Sequence, residues 1–288
     1  MRITVTGGSG FIGRHLLRSL AELAAQPDRD EPLEIAATAR DLSRSDPEIP
    51  GVRWLPLDLD RPPADPLAAL GHPDVLVHLA WGGLPNYGSS RHLEEELPRH
   101  QAFLERAVRD GLGRIVVAGT CLEYGMREGR LSEELPTLPA NPYATAKDRL
   151  RTFLEDLRGR HDLRLTWLRF FYLYGDGQPD RTLYAQLVQA IRQRHPEFDM
   201  SGGEQVRDYL PVTTATALVG RLAVGPGDHG VVNICSGRPR MVRALVEEWV
   251  RDAGGGIRLN LGRRPYSAHE PMRFWGSNDK LLSIVRAA

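Results

Sequence analysis

Apolar residues in the first part of the chain fall into short β-branched runs, separated by stretches in which apolar positions recur every three or four residues. "RITVT" precedes a helical pattern over Phe11 to Ala24. Then come "EIAATA", "VRWLPL", "DVLVHLA", a long helical pattern from Arg91 to Asp110, "RIVVAG", a helix from Pro142 to Leu157, and "LRLTWLRF". Strand followed by helix, repeated, predicts βαβ units feeding one parallel sheet, because parallel neighbours need a long crossover. "DVLVHLA" and "RIVVAG" are apolar nearly throughout instead of alternating, which predicts central strands covered on both faces. After Phe171 the pattern breaks into pieces punctuated by Gly and Pro. Helices are expected near Thr182 to Gln193, Thr213 to Val224 and Val242 to Ala253, with one more strand, "GVVNIC". The Pro-rich stretch Arg61 to Pro66 reads as a loop. The expected architecture is α/β: a doubly wound parallel sheet with a smaller, irregular C-terminal domain.

Composition narrows the partners. The 288 residues hold 37 basic and 37 acidic side chains, so no net field favours nucleic acid or an anionic membrane surface. A small molecule is the expected partner. The chain enters a strand pattern at Arg2 without a basic and apolar leader, and no apolar run approaches the roughly 20 residues of a membrane helix. The expectation is a cytoplasmic protein. Cys121 and Cys235 each follow an apolar, strand-like run, which suits buried free thiols better than a disulfide or a metal site.

Between the first strand and first helix, "TVTGGSGFIGRHLL" places Gly7, Gly8, Gly10 and Gly13. Glycines permit a tight turn and close approach of a pyrophosphate, and the helix start offers unpaired N–H groups and positive dipole. The context, after a strand and opening a helix, is that of a Rossmann-type dinucleotide site. The second strand ends in "ATARD", offering Arg40, with Arg14 at the helix start. A guanidinium suits a 2′-phosphate, so NADP(H) is favoured; Asp41 follows directly and leaves NAD(H) possible. Asp58 is placed to meet the adenine, and Phe11, Ile12, Leu59, Leu79, Ala80 and Phe170 complete the candidate cofactor contacts. Residues 1–170 would form the dinucleotide-binding domain, to which 207–235 return, and 171–206 with 236–288 the substrate-binding domain.

Within a helical pattern, "NPYATAKDRL" puts Tyr143 and Lys147 four residues apart, on one helix face. Of the 37 basic residues only Lys147 and Lys280 are lysine, so a chain that otherwise uses arginine keeps an ammonium at this position. A compact three-donor ammonium can bridge ribose hydroxyls and stand beside a phenol. Proton transfer by tyrosine near neutrality asks for a shift of roughly three pKa units, which a positive charge about 4 Å away could supply. Both residues are candidate catalytic groups that also touch the cofactor.

In that order, "TGGSGFIG", "GTCLEYG" and "YATAK" resemble the extended short-chain dehydrogenase/reductase family acting on nucleotide sugars. The resemblance implies that Thr120 polarises the substrate carbonyl. "LRFFYLYGDGQ" resembles the segment beside the nicotinamide, with Tyr172 where a substrate-binding Asn is usual, and "GEQVRDYLPV" the segment whose Arg, here Arg207, holds the substrate diphosphate. The dehydratases of the family resemble one another in an Asp-Glu pair that eliminates water; Cys121 and Leu122 occupy those positions, with Glu123 one place late. Epimerase-reductases resemble one another in a catalytic Cys two places before the Tyr; Leu122 fills that place, and Cys121 reads as packing. Glu123 either reaches a sugar hydroxyl or caps a turn. "HLAWGGLPNY", "RDYLPV" and "EPMRFWG" resemble segments of bacterial dTDP-4-dehydro-6-deoxyglucose reductases, so Trp81, Tyr87 and Trp275 could line a sugar or base pocket. The implied activity is NADPH-dependent reduction of a nucleotide-linked 4-keto-6-deoxyhexose, most simply dTDP-linked, by a homodimer. An NAD-dependent nucleotide-sugar 4-epimerase and a non-catalytic dinucleotide sensor are the alternatives; the intact Thr120, Tyr143 and Lys147 set speaks against the sensor.

Overall fold

The computed structural model describes residues 1–27, 31–44, 49–267 and 270–287. Along the chain run β1 (Arg2–Thr6), α1 (Phe11–Ala24), β2 (Glu34–Ala39), β3 (Val52–Pro56), β4 (Val75–His78), α2 (Leu97–Arg109), β5 (Arg114–Thr120), α3 (Pro142–Arg160) and β6 (Arg164–Phe170). They continue with α4 (Leu183–Arg192), α5 (Val212–Val224), β7 (Gly230–Ile234), α6 (Val242–Asp252) and α7 (Asp279–Ala287). The seven strands form one parallel sheet in the order β3-β2-β1-β4-β5-β6-β7. Chain order reverses between β1 and β4, which opens a crevice at the carboxyl ends of these strands.

Strand periodicity sorts the core into two layers. Val116 on β5 faces α1 and α5, packing with Leu16, Leu17, Leu20, Val219 and Leu222. Its neighbours Ile115 and Val117 face α2 and α3, packing with Phe103, Leu104, Leu150 and Leu154. A third cluster, Leu187, Phe198, Val242, Val246 and Trp249, forms the core of the smaller C-terminal part. The structure is the expected α/β Rossmann-type fold.

Three elements differ from the sequence reading. The helix expected from Arg91 begins with a π turn over His92–Glu96 before α2 starts at Leu97. Pro98 has no N–H to give and its ring excludes the carbonyl four residues back, which accounts for the widened turn. A short helical turn, Pro66–Ala69, starts where a loop was expected to end; the Asp65 carboxylate caps it, accepting from Ala68 N at 2.9 Å. Helix α7 was not anticipated. Its Leu281, Ile284 and Val285 pack with the α1 and α5 layer of the sheet, although 236–288 reads from sequence as the substrate side. Among the described residues, no helix is long and apolar enough to cross a membrane.

Candidate active site

The motifs "TGGSGFIG", "ATARD", "HLAWGGLPNY", "GTCLEYG" and "LRFFYLYGDGQ" lie at or just beyond the carboxyl ends of sheet strands, and "YATAK" lies in α3, whereas "GEQVRDYLPV" and "EPMRFWG" lie on short strand pairs of the C-terminal part. The glycine turn fits a pyrophosphate. Gly7 has φ +71°, and a Cβ there would lie 2.9 Å from Ala80 N; a Cβ on Gly13 would lie 2.2 Å from Gly7 O. Backbone of the turn, the start of α1 and the end of β4 are thus packed with no room for side chains. Gly10 caps α1 with no side-chain hydrogen bond, leaving the first-turn N–H groups to an anion.

Beside this turn lies a cleft of about 430 Å³. Of the expected cofactor contacts, Gly7, Gly10, Arg40, Asp58, Leu59, Leu79 and Ala80 line it. Phe11, Ile12, Gly13 and Arg14 form the first turn of α1, and Phe170 is buried in the sheet core. Arg14 Nε donates to Ser9 O at 3.0 Å, tying it to the turn. At the end of β2 the cleft meets Thr38, Ala39 and Arg40. The Arg40 side chain is 70% exposed and stands 3.6 Å from Asp60, which Arg99 approaches more closely at 2.7 Å. Arg40 is therefore only loosely engaged within the chain. The sequence reading missed Asp60, Gly82, Gly83, Arg91, Glu96, Arg99 and His100, which also line the cleft. A face shared at i, i+3 and i+4 was the available signal for Glu96, Arg99 and His100; which face meets the cleft was not.

On α3, Tyr143 and Lys147 are both buried. Lys147 Nζ donates to Ala118 O at 2.8 Å, docking the helix on β5 two residues before Thr120, and lies 4.0 Å from the ring centre of Trp81. Burial pushes Lys147 down to about 7, while the Glu123 and Glu96 carboxylates pull it back up. Tyr143 departs from expectation. Burial pushes its phenol up, and Tyr87, Glu123 and Cys121 add to that. Burial is the largest of these causes, so the chain by itself holds the phenol above its ordinary range instead of drawing it toward neutrality.

Thr120 ends β5 and caps the turn Cys121–Tyr124. Its Oγ1 accepts from Leu122 N at 3.2 Å, so its hydroxyl proton is the part left to offer a ligand. Glu123 does not face the substrate side. It is fully buried, accepting from Thr120 N, Trp167 Nε1 and Arg169 Nε, and thus completes the capping box. The expectation of a sugar contact is corrected by this geometry. Cys121 packs with Tyr124, Leu131, Phe171, Cys235 and Phe274, and burial raises its thiol, consistent with packing.

A second cleft of about 210 Å³ opens on the C-terminal part, lined by Tyr172, Gln205, Arg207, Tyr209, Arg264 and Glu270 among others. Arg207 is buried; it donates to Val206 O, Met272 O and Glu270 Oε2, and lies over the Phe274 ring at 4.5 Å. Among the described residues, the buried Tyr172 Oη has no hydrogen-bond partner, which leaves it to a ligand. The aromatic candidates separate. Tyr87 is half-exposed and meets the Tyr143 ring at 5.3 Å, and Trp81 lines the first cleft with its ring centre 6.2 Å from that of Tyr143. Trp275 lies on the short strand Phe274–Gly276 beside Gly129–Leu131 and lines neither cleft.

A family model described as the NAD dependent epimerase/dehydratase family matches residues 3–235. A dTDP-6-deoxy-L-talose 4-dehydrogenase (NAD(+)) of Aggregatibacter actinomycetemcomitans is 26% identical over 279 residues, which span 96% of this chain and 100% of that protein. A UDP-glucose 4-epimerase of Azospirillum brasilense is 25% identical over 321 residues, 100% of this chain and 90% of that one. Among solved structures, UDP-glucuronic acid 4-epimerase from Bacillus cereus, in complex with UDP-glucuronic acid and NAD, superposes with TM-score 0.80 at 18% identity, covering 100% and 94% of the two chains. At that identity the likeness shows the fold. The cofactor named in the family description and in that complex is NAD, so these comparisons lend the NADP expectation no support.

Proposed function

Because the chain belongs to the NAD dependent epimerase/dehydratase family, we propose that it reduces the 4-keto group of a nucleotide-activated 4-keto-6-deoxyhexose, with dTDP as the carrier and NADPH as the reductant. The observation that carries the reading is the hydrogen bond from Lys147 to Ala118 O, which sets the Tyr143 and Lys147 face of α3 against the strand that ends in Thr120. The full-length likeness to a dTDP-6-deoxyhexose 4-dehydrogenase supports the carrier and the carbon. Arg40 beside Ala39, with no carboxylate in the last residues of β2, supports NADPH.

When bound, the reduced nicotinamide supplies the hydride. Tyr143, kept protonated by burial, gives its phenolic proton to the oxygen that becomes the alcohol, and the Thr120 hydroxyl donates to the same oxygen. Charged Lys147, one turn along α3, lowers the cost of the phenolate left behind. Arg207, Arg264 and the Tyr172 hydroxyl receive the diphosphate end. A homodimer through α2 and α3 belongs to the same proposal, on the family resemblance.

Purified protein given NADPH and dTDP-4-keto-6-deoxyglucose should oxidise the cofactor, and Tyr143→Phe should lower kcat by about 10²- to 10⁴-fold. No oxidation above background, beside an active control reductase, overturns the reading. A second reading, an NAD-retaining nucleotide-sugar 4-epimerase, is favoured by the likeness to the Azospirillum enzyme. It predicts NAD released on denaturation and an epimer formed without net oxidation.

A further inference from the structure

Four buried polar side chains run in a line from the wall of the first cleft into the sheet, and the reaction proposed above uses none of them. Thr6 Oγ1 meets His78 Nδ1 at 2.8 Å, His78 Nε2 meets His100 Nδ1 at 2.8 Å, and His100 Nε2 lies 3.6 Å from Glu96 Oε2. β1 and β4 supply the first two; Glu96 and His100 stand four apart where the π turn runs into α2. The Glu96 carboxylate, 3.6 Å away, favours a proton on His100 Nε2. With the proton there, His78 Nε2 donates to His100 Nδ1 and the Thr6 hydroxyl donates to His78 Nδ1. Both rings are neutral in this arrangement. Burial holds both imidazoles below their ordinary range, and the neighbouring His100 leads in drawing Glu96 down to about 2. The line ends inside the sheet at Thr6, so it serves as a rigid support and not as a path for protons.

Trp81 is what it supports. The His100 ring stacks on the indole with 4.6 Å between centres and planes 12° apart. Glu96 Oε2 accepts from Gly82 N at 3.0 Å, and Trp81 Nε1 donates to His92 Nδ1 at 3.1 Å. The indole in turn meets the Lys147 ammonium at 4.0 Å. Among the described residues that ammonium has one hydrogen-bond acceptor, Ala118 O, for its three N–H donors. The ring face compensates part of the deficit.

We propose that Trp81 is a positioning residue for Lys147: its indole, braced by His100 and Glu96, holds the ammonium charged and in place at the edge of the dinucleotide cleft. The proposal rests on the reading above, in which Lys147 serves the reaction. A cation over a ring stabilises only the charged form, so removing the ring lowers the pH at which the ammonium loses its proton. The groups that share this environment are Tyr143 on the same helix, Glu123 from the turn after β5, His78 from β4, and Glu96 and His100 from the start of α2. Two carboxylates, Glu123 and Glu96, oppose the effect of burial.

The chain has only two lysines, Lys147 and Lys280, so protein labelled with ¹³C,¹⁵N-lysine gives two side-chain signals to titrate, and Lys280→Arg assigns them. Trp81→Leu should lower the Lys147 midpoint by about 0.5 to 1.5 pH units and Trp81→Phe by less, with the Lys280 signal unmoved. The decline of kcat with rising pH should move to lower pH by the same amount, with KM for the sugar unchanged. Should Trp81→Leu fail to fold, Trp81→Phe decides alone. A Lys147 midpoint at the wild-type value in every folded Trp81 variant overturns the proposal. A displaced midpoint in a protein that does not turn over the keto sugar supports it while overturning the ketoreductase reading.

Discussion

Glu123 Oε1 accepts from Thr120 N at 2.8 Å and from Trp167 Nε1 at 3.0 Å, while Oε2 takes Arg169 Nε at 2.7 Å. Three donors converge on one buried carboxylate. Arg169 also lies over the Tyr124 ring at 4.5 Å, and Tyr124 donates to Asn233 at 2.8 Å, so the turn after β5 is clamped from beneath. Glu123→Gln keeps the volume but turns one acceptor into a donor facing other donors. It removes the counter-charge of a guanidinium whose Nη1 has no hydrogen-bond partner among the described residues. Breaking such a buried pair costs about 3–5 kcal/mol. Urea unfolding should show that loss, and kcat should fall with it because Thr120 loses its seat. A raised KM with wild-type stability would instead mean that Glu123 meets the sugar. The sequence showed Glu123 but left two roles open, since the choice depends on Trp167 and Arg169, 44 and 46 residues away.

Helix α3 carries Tyr143 and Lys147, the proposed catalytic pair, in its first two turns, so its start matters most. Asn141 Oδ1 accepts from Ala144 N at 2.9 Å, Thr145 Oγ1 donates to Asn141 O at 2.9 Å, and Pro142 occupies the first turn without forfeiting a hydrogen bond. Asn141→Ala should cost about 1 kcal/mol in urea unfolding. Fraying there would reach Tyr143 before Lys147, so kcat should fall more than substrate affinity. A variant with wild-type kcat at reduced stability would separate the cap from the chemistry. The Tyr143 and Lys147 spacing was legible because it obeys the helix period. The π turn before α2 was not, because the periodic pattern runs on through it and only Pro98 marks the interruption.

At the scale of the whole molecule, the order β3-β2-β1-β4 places the glycine turn, the end of β2 and the segment after β4 around one cleft. Ligand binding there is linked to the stability of the fold; a dinucleotide at 100 times its Kd adds about 2.7 kcal/mol. If Arg40 meets a 2′-phosphate, NADPH should raise Tm more than NADH at equal concentration, and Arg40→Ala should abolish the difference while sparing the NADH effect. An equal or larger rise with NADH assigns the site to NAD. By itself the sequence determined the parallel sheet, the phosphate turn and the Tyr143 and Lys147 pair, since each depends on residue period or on neighbours within a few positions. Only the tertiary structure decided that Glu123 is a buried cap, that the Trp81 ring stands beside the Lys147 ammonium, and that the Tyr143 phenol is buried. The physical reason is that burial and the choice of hydrogen-bond partner arise where distant segments meet. The contact of Lys147 with Ala118 spans 29 residues, and that of Glu123 with Arg169 spans 46.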